Sequence, residues 1–435
     1  LKDYLAKHGK YPEKVSYTFW AGEFISSQGA TLAQAMRMLG VEPVRDEQGR
    51  VMDLKLTPSK ELGRPRINIL VQVSGQLRDI AGSRLKMLTD AVALAAGAKD
   101  DRYPNYVAEG TLAQEKELVE KGESPKRARE LSGMRVFGPA NSGYSTGMLR
   151  YAENSGEWDD RQELVEGYLN NMCAMYGDDE NWGGMNKDLF RAAIANTDVI
   201  VQPRQSNTWG PISLDHVYEF TGALSLASTA INGKEPDAVL ADYRNPYLPR
   251  LQDTHEGIAV ETRATILNPE FIRQRMKGDA TTAQMFGEIF RNIFGWSATR
   301  SSVLPSGIYD KLYEVYVQDR ENLGIEEYFE RTNPAALQEM TATMLESARK
   351  GFWDPSEEQL EQVASLNARI TEKHGAPCTE FVCGNKKLQN FVASNLDSKA
   401  AERFMENIAG ATALSPDAKI LKENKSGAIS NAIRN

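Results

Sequence analysis

The sequence predicts an α/β fold: parallel-type strand–helix layers in the N-terminal half, followed by a mainly helical C-terminal region. Three short runs rich in apolar and β-branched residues indicate buried strands, at 14–20 (KVSYTFW), 66–75 (RINILVQVSG) and 197–203 (TDVIVQP). Segments with helical apolar spacing, 31–40 and 78–98, follow the first two strands, and 31–40 ends on a glycine. Apolar strands that alternate with helices are typical of parallel pairing.

The other elements of the first half follow in order. Two alternating runs flank DEQG at 46–49, which predicts a hairpin. Residues 99–130 are charged and predict surface helices, and 134–149 predicts a short strand that runs into a Gly/Ser/Asn-rich loop. Residues 160–196 predict helices interrupted by YGDDENWGG, and 221–233 predicts a helix of small residues.

From about residue 256 almost every segment has helical spacing, and prolines stand where such segments begin, at Pro269, Pro334 and Pro355. We therefore expect an α/β region over 1–250, a helical region over 251–410 and a poorly packed tail over 411–435. The first residues lack both an initiator Met and a signal-peptide core, so we expect the chain to be the C-terminal part of a larger protein.

Composition excludes some classes of function. The net charge of −9, without a long Lys/Arg-rich run, argues against a nucleic-acid surface. No stretch approaches 18 consecutive apolar residues, so no transmembrane segment is predicted. Cys378 and Cys383 in CTEFVC leave three alternatives open: unremarkable thiols, a disulfide, or half of a metal site.

Two loops at predicted strand ends are candidate ligand sites. The loop GPANSGYSTG (138–147) offers backbone N–H groups, but it matches neither of the two common nucleotide-binding glycine motifs, so no nucleotide site is predicted. Gln76 and Arg78 follow the strongest strand, where α/β sheets bind ligands, although helix capping explains that stretch equally well.

The segment 199–220 carries the sharpest candidate, because one of only four histidines, His216, stands beside Asp215 and Glu219. A neutral imidazole next to carboxylates binds a divalent metal or moves a proton. A helix that starts near Ser213 would put His216 and Glu219 on one face, with Ser213 as its cap. A capped helix with a solvated histidine is the alternative. Glu261, in a Glu/Arg-rich helix, is a second acid/base candidate.

Taken together, these blocks resemble a known family. The runs YPEKVSYTFWAGEF, ELGRPRI…SGQLRD, RVFGPANSGYSTGM and DVIVQPRQSNTWGPISLDHVYEF, in this order, resemble the C-terminal part of the CobN/magnesium-chelatase H family. Its members are large subunits that insert cobalt or magnesium into tetrapyrroles, and the resemblance covers about four fifths of the chain. It implies a tetrapyrrole cavity and AAA+ ATPase partner subunits.

The chain departs from the cobaltochelatase pattern at NSGYSTG, which keeps Tyr144, and at NTWGPISLDH. These departures resemble the HmuS-type branch, which removes iron from haem. The resemblance therefore implies metal exchange on a haem, porphyrin or corrin ring, with iron or cobalt as the metal. Haem dechelation is slightly favoured, and cobalt insertion and a non-catalytic tetrapyrrole carrier or sensor are the alternatives.

Metal exchange moves pyrrole protons and needs a transient metal ligand, and we expect His216 to serve both purposes, tuned by Glu219 and Asp215. For the ring we expect aromatic walls and cationic partners for its propionates. The aromatic candidates are Tyr144, Trp209 and Tyr218, and the polar ones are Arg204, Arg78 and Gln76. A biosynthetic chelatase would be cytoplasmic, and a haem dechelatase would be periplasmic or membrane-anchored.

Overall fold

The computed structural model confirms the predicted fold class. It describes residues 1–99, 102–140, 145–204, 206, 210–245, 247–377, 379 and 381–414. Tyr144, Trp209 and Cys378, and the tail from 415 onward, lie outside the described residues. Within the described part of the chain, no helix is long and apolar enough to cross a membrane.

A seven-stranded sheet of order β6-β5-β4-β1-β7-β8-β9 organises the first half. Strands β5, β4, β1, β7 and β8 run parallel, and β6 and β9 add antiparallel edges. A separate antiparallel hairpin, β2–β3, confirms the turn predicted around DEQG. The strands are β1 Lys14–Phe19, β2 Val41–Arg45, β3 Val51–Leu56, β4 Asn68–Val73, β5 Val136–Gly138, β6 Ala174–Met175, β7 Val199–Arg204, β8 Asp237–Asp242 and β9 Arg250–Asp253.

The helices up to residue 250 are α1 Lys2–His8, α2 Ala21–Ser26, α3 Ala30–Leu39, α4 Ser59–Leu62, α5 Gly75–Ala96, α6 Tyr106–Glu120, α7 Pro125–Leu131, α8 Met148–Glu153, α9 Arg161–Asn171, α10 Lys187–Ile194, α11 Asp215–Val217 and α12 Ala223–Asn232. A π-helical turn, Tyr218–Gly222, joins α11 to α12. The later helices are α13 Thr254–Ala264, α14 Pro269–Arg275, α15 Ala280–Arg300, α16 Ile308–Tyr316, α17 Ile325–Thr332, α18 Pro334–Arg349, α19 Glu357–His374, α20 Lys386–Ser394 and α21 Ser398–Leu414, with a 3₁₀ turn at Ser301–Val303.

The chain forms two compact units, each assembled from separate segments. The first comprises Leu1–Leu149, Gln162–Gly210 and His216–Gly257, and the second comprises Arg150–Arg161, Pro211–Asp215 and Ile258–Asn435. The sequence-based division after residue 250 stays a prediction.

The core of the first unit lies on one face of the sheet. Alternate residues of β1 and β4, such as Tyr17 and Val71, pack with Leu39 of α3 and Leu85 of α5, all of them fully buried. The opposite face of the sheet carries Thr18 of β1, Gln72 of β4 and Gln202 of β7, which are also fully buried. Polar side chains buried in a sheet need hydrogen-bond partners. Gln72 and Gln202 find some of theirs in the segment 218–222, which is described with the candidate site below.

Candidate functional site

The candidate site lies where the parallel strands end. In a parallel sheet the carboxyl ends of the strands meet at one edge, which is where α/β proteins bind ligands. Trp20 follows β1, Ser74 follows β4, Pro139 follows β5 and Arg204 ends β7. The segment that follows β7 carries a buried glutamate, Glu219, next to a partly exposed histidine, His216.

The structure brings His216 and Glu219 together. Helix α11 begins at Asp215, so the two side chains are one turn apart, and His216 Nδ1 lies 2.8 Å from Glu219 Oε2. Glu219 is fully buried, whereas the His216 side chain is 35% exposed. The Ser213 hydroxyl donates to Glu261 at 2.6 Å, and its role as the cap of this helix stays a prediction.

The glycine-rich loop supplies two further partners of Glu219 among the described residues. Ser145 Oγ donates to Glu219 Oε1, and Thr146 Oγ1 lies 3.2 Å from the same oxygen. The backbone N–H groups of Gly147 and Met148 donate to these two hydroxyl oxygens, so their hydrogens are directed to acceptors such as Glu219. Loop and helix are therefore tied together through one carboxylate.

These contacts select one tautomer of the imidazole. Glu219 Oε1 accepts from hydroxyl groups and Oε2 faces His216 Nδ1. An ionised carboxylate has no proton to donate, so in this pair the imidazole is the donor. Nδ1 of His216 then carries the proton and Nε2 carries the ring lone pair. A carboxylate behind an imidazole in this way orients the ring and raises its basicity, as it does behind metal-bound histidines. Nε2 is thus suited to accept a proton or to bind a metal.

An aromatic residue that is not among the predicted site residues, Trp20, lies beside this pair. Trp20 is the N-terminal cap residue of α2, and its ring centroid lies 6.5 Å from that of His216 and 6.0 Å from that of Phe220, nearly perpendicular to the latter. Trp20 is partly exposed. The signal in the sequence was its position, because Trp20 directly follows a buried strand in the run YTFWAGEF.

The predicted ring-binding residues have different surroundings. Arg78 is 8% exposed and donates to Pro139 O at 3.2 Å and to Tyr176 Oη at 3.1 Å, so it fixes the start of the glycine-rich loop. Gln76 is exposed on the first turn of α5. Arg204 is partly exposed and bonds Gln252 at 3.3 Å, and Tyr218 is fully buried. A role for each of these residues at a ring stays a prediction.

The remaining candidates belong to the second unit. Asp215 is partly exposed at the first position of α11. Glu261 is 8% exposed and accepts the Ile212 N–H at 3.0 Å and the Ser213 hydroxyl at 2.6 Å. These bonds anchor the chain segment that leads into α11.

The residues that the structure describes include no group of three or more His, Cys, Asp or Glu side chains able to hold a metal ion. Cys383 is disulfide-bonded and Cys173 is a buried free thiol. A bonded Cys383 agrees with the disulfide alternative for the CTEFVC pair, and Cys378 is not among the described residues.

Comparison with known proteins decides the family. The family model for CobN/Magnesium Chelatase matches residues 1–360. The chain belongs to the CobN/magnesium chelatase family. The chloroplastic magnesium-chelatase subunit ChlH of Oryza sativa subsp. indica is 28% identical over 84% of this chain and 26% of its own length. The aerobic cobaltochelatase subunit CobN of Sinorhizobium sp. is 26% identical over 82% of this chain and 27% of its own length.

A solved structure supports the same assignment. The catalytic subunit of cobaltochelatase from Mycobacterium tuberculosis aligns with a TM-score of 0.78 and 26% identity, over 85% of this chain and 30% of that one. The chain therefore spans less than a third of the length of these chelatase large subunits, and the resemblance seen in the sequence is confirmed at the level of the family.

Proposed function

We propose that this chain forms the part of a chelatase large subunit where the central metal of a tetrapyrrole is exchanged, with His216 as the proton acceptor. Insertion of a divalent ion releases two pyrrole protons, so the reaction needs a base beside the ring. The observation that carries the proposal is the buried Glu219 carboxylate, 2.8 Å from Nδ1 of a partly exposed histidine at the sheet edge. Nε2 takes one pyrrole proton and passes it to water, and it then takes the second.

The same nitrogen also suits a transient metal ligand. Neutral imidazole binds magnesium weakly and cobalt or iron well, so a proton-transfer role fits either metal whereas a ligand role favours cobalt or iron. We favour insertion, because the named relatives are magnesium and cobalt chelatases. The sequence-based preference for haem dechelation depends on the departures at NSGYSTG and NTWGPISLDH, which lie only partly within the described residues. Removal of iron from haem is therefore tested in the same assay as the alternative to insertion. AAA+ ATPase partners belong to the proposal as well, since this chain has no nucleotide-binding motif.

The test compares His216→Ala with His374→Ala in the complete large subunit. His374 is a matched control because it also lies beside a glutamate, with Nε2 3.8 Å from Glu330. Both variants are mixed with a metal-free porphyrin and Mg²⁺ or Co²⁺, and separately with haem under reducing conditions, with ATPase subunits present. Absorption spectra report binding and metal exchange separately.

We expect His216→Ala to lower metal exchange by about 10- to 10⁴-fold, the usual contribution of a positioned acid or base, while porphyrin binding is kept. His374→Ala should behave as wild type. Unchanged turnover in His216→Ala removes this residue from the mechanism. Porphyrin binding by the wild type without exchange in either direction would indicate a carrier or sensor.

A further inference from the structure

A row of buried polar side chains lies beneath the His216–Glu219 pair. Thr18 of β1 and Gln72 of β4 are register partners, and Gln202 of β7 lies one residue beyond the pair Tyr17–Val201. All three are fully buried. The proton-transfer scheme proposed above uses none of them, so their place in the sheet needs another explanation.

Gln72 uses both ends of its amide. Its Oε1 accepts from the Tyr168 hydroxyl at 2.8 Å, and its Nε2 donates to Thr18 Oγ1 at 2.8 Å and to the backbone carbonyl of Phe220 at 3.2 Å. A flipped amide would place Oε1 against the Phe220 carbonyl, two acceptors facing each other. The orientation of the amide is therefore fixed, so the Phe220 carbonyl accepts a hydrogen bond from Gln72 Nε2.

Phe220 belongs to the π-helical turn Tyr218–Gly222, which also contains Glu219. The next residue, Thr221, donates its hydroxyl to Gln202 Oε1 at 2.8 Å. Two glutamines from strands on either side of β1 thus bond two successive residues of this turn. Single π turns inside α-helices are rare and contain one extra residue.

That extra residue sets the direction in which Glu219 points. If the turn relaxed to α-helical bonding, the residues before it would rotate by about 100° relative to those after it, since an α-helix has 3.6 residues per turn. The carboxylate of Glu219 would then leave the hydroxyl groups of Ser145 and Thr146. The hydrogen bond to His216 depends on the same carboxylate.

We propose that Gln72 is a positioning residue that, together with Gln202, holds the π-helical turn and thereby keeps Glu219 bonded to His216 Nδ1. This inference rests on the proposed function only for its catalytic consequence, because the state of the imidazole is measurable without turnover. A buried glutamine that merely satisfied its own neighbours would affect stability and leave the imidazole unchanged.

The experiment compares Gln72→Met with Tyr168→Phe. The first variant keeps the length of the side chain and removes the donor to Phe220, whereas the second removes only the hydroxyl on the other end of the amide. Nitrogen-15 NMR of histidine-labelled chain reports the tautomer of each of the four histidines, and the His216 signals are assigned by their loss in His216→Gln. Far-UV circular dichroism checks the fold.

We expect wild type and Tyr168→Phe to show a protonated Nδ1 and an unprotonated Nε2 at His216, and Gln72→Met to lose this preference. In the exchange assay Gln72→Met should lower kcat by about 10- to 100-fold with little change in KM for the porphyrin, as is usual when a group behind a histidine is lost. If Gln72→Met fails to fold, Thr221→Val removes the second anchor of the same turn and should give the same NMR change.

An unchanged His216 tautomer in folded Gln72→Met, or in Thr221→Val, overturns the inference. The tautomer result also separates this inference from the proposed function. A wild type that shows the expected tautomer but neither binds porphyrin nor exchanges metal would refute the function and leave the positioning role standing.

Discussion

At the scale of single residues, the chemistry of the site depends on where one proton sits on His216. Glu219 has no exposed surface and accepts from His216, while Ser145 and Thr146 hydroxyl groups bond its other oxygen. Because the carboxylate is held from both sides, Nδ1 keeps its proton and Nε2 stays a base. The charge of Glu219, rather than its shape, is what selects this state.

Glu219→Gln tests the charge with the shape retained. The amide has no full negative charge to fix the imidazole, so we expect metal exchange to fall by about 10- to 100-fold. Porphyrin binding should change little. Glu288→Gln, an exposed glutamate of α15, is the control. Exchange that continues at the wild-type rate in Glu219→Gln would show that Nε2 does not depend on this carboxylate.

A second buried glutamate predicts a pH effect on stability. Glu23 of α2 is fully buried, and its Oε1 accepts the hydroxyls of Ser27 and Thr31, each at 2.6 Å. Its Oε2 has no hydrogen-bond partner among the described residues, and burial raises the pKa of this carboxyl. The folded state therefore holds the proton to higher pH than the unfolded state does. The protonated Glu23 carboxyl therefore contributes stability that is fully present below its pKa in the unfolded chain, about 4.3. This contribution is lost as the pH rises through the higher pKa of Glu23 in the folded chain.

Glu23→Gln removes this titration. We expect the variant to match wild type near pH 4 and to be more stable at neutral pH, by on the order of 1 kcal/mol, since one pKa unit corresponds to about 1.4 kcal/mol. Urea unfolding at several pH values measures the difference, with Glu288→Gln as the exposed control. A difference that does not change with pH would mean that Glu23 is ionised at the same pH in both states.

Part of this site was predictable from local spacing alone. The i, i+3 spacing of His216 and Glu219 predicts a shared helix face, and the structure brings the two side chains together. The hydroxyls that bond Glu219 come from a loop more than 70 residues earlier, and no local pattern signals such a contact. Trp20 was missed because an aromatic residue after an apolar strand usually belongs to the core.

At the scale of elements, the sequence identified strands that are buried on both faces better than the others. Strands β4 and β7 contain short continuous apolar runs, and β1 alternates apolar residues with polar ones and is rich in β-formers. All three were predicted. Strand β8 (Asp237–Asp242) was missed because its run DAVLAD is short and rich in alanine, and β9 is mostly exposed. The π-helical turn has no local signal either, since its anchors are on distant strands.

The glycine that ends β5 yields a prediction at this scale. A Cβ atom on Gly138 would lie 2.8 Å from Val73 Cγ2 and 2.9 Å from the Val73 carbonyl oxygen. Because one of these atoms is backbone, Gly138→Ala should force β4 and β5 apart and cost about 1–3 kcal/mol of stability, as overpacked substitutions do. Gly133→Ala is the control, since a Cβ there would meet nothing within 4 Å. Equal urea midpoints for the two variants would contradict this packing role.

At the scale of the whole molecule, the second unit contains two short segments that are distant in sequence from its main part, and local sequence patterns do not predict this. The second unit takes Arg150–Arg161 and Pro211–Asp215 from within the first 250 residues. Inside that unit, Trp296 Nε1 donates to Pro211 O at 2.7 Å and Asn292 Nδ2 donates to Ile212 O at 2.9 Å. Helical periodicity after residue 256 predicts the helices correctly but carries no information about these two segments.

The same contacts predict how a truncated chain behaves. A fragment of residues 258–414 lacks both short segments, so the buried side chains of Glu261, Asn292 and Trp296 lose the bonds described above. Each unsatisfied buried polar group costs about 1–3 kcal/mol, and their sum is comparable with the 5–15 kcal/mol that stabilises a typical domain.

We therefore expect the fragment to keep helical circular dichroism, to lose a sharp urea transition and to bind a hydrophobic dye. Chain 1–414 is the matched control, because it contains every segment that the structure describes for both units. The fragment could instead unfold in one sharp step, with the same urea midpoint as a transition of chain 1–414. That result would show that the second unit is stable without its two inserted segments. The hydrogen bonds at Pro211 and Ile212 would then serve to fix the segment that leads into α11 rather than to hold the helices together.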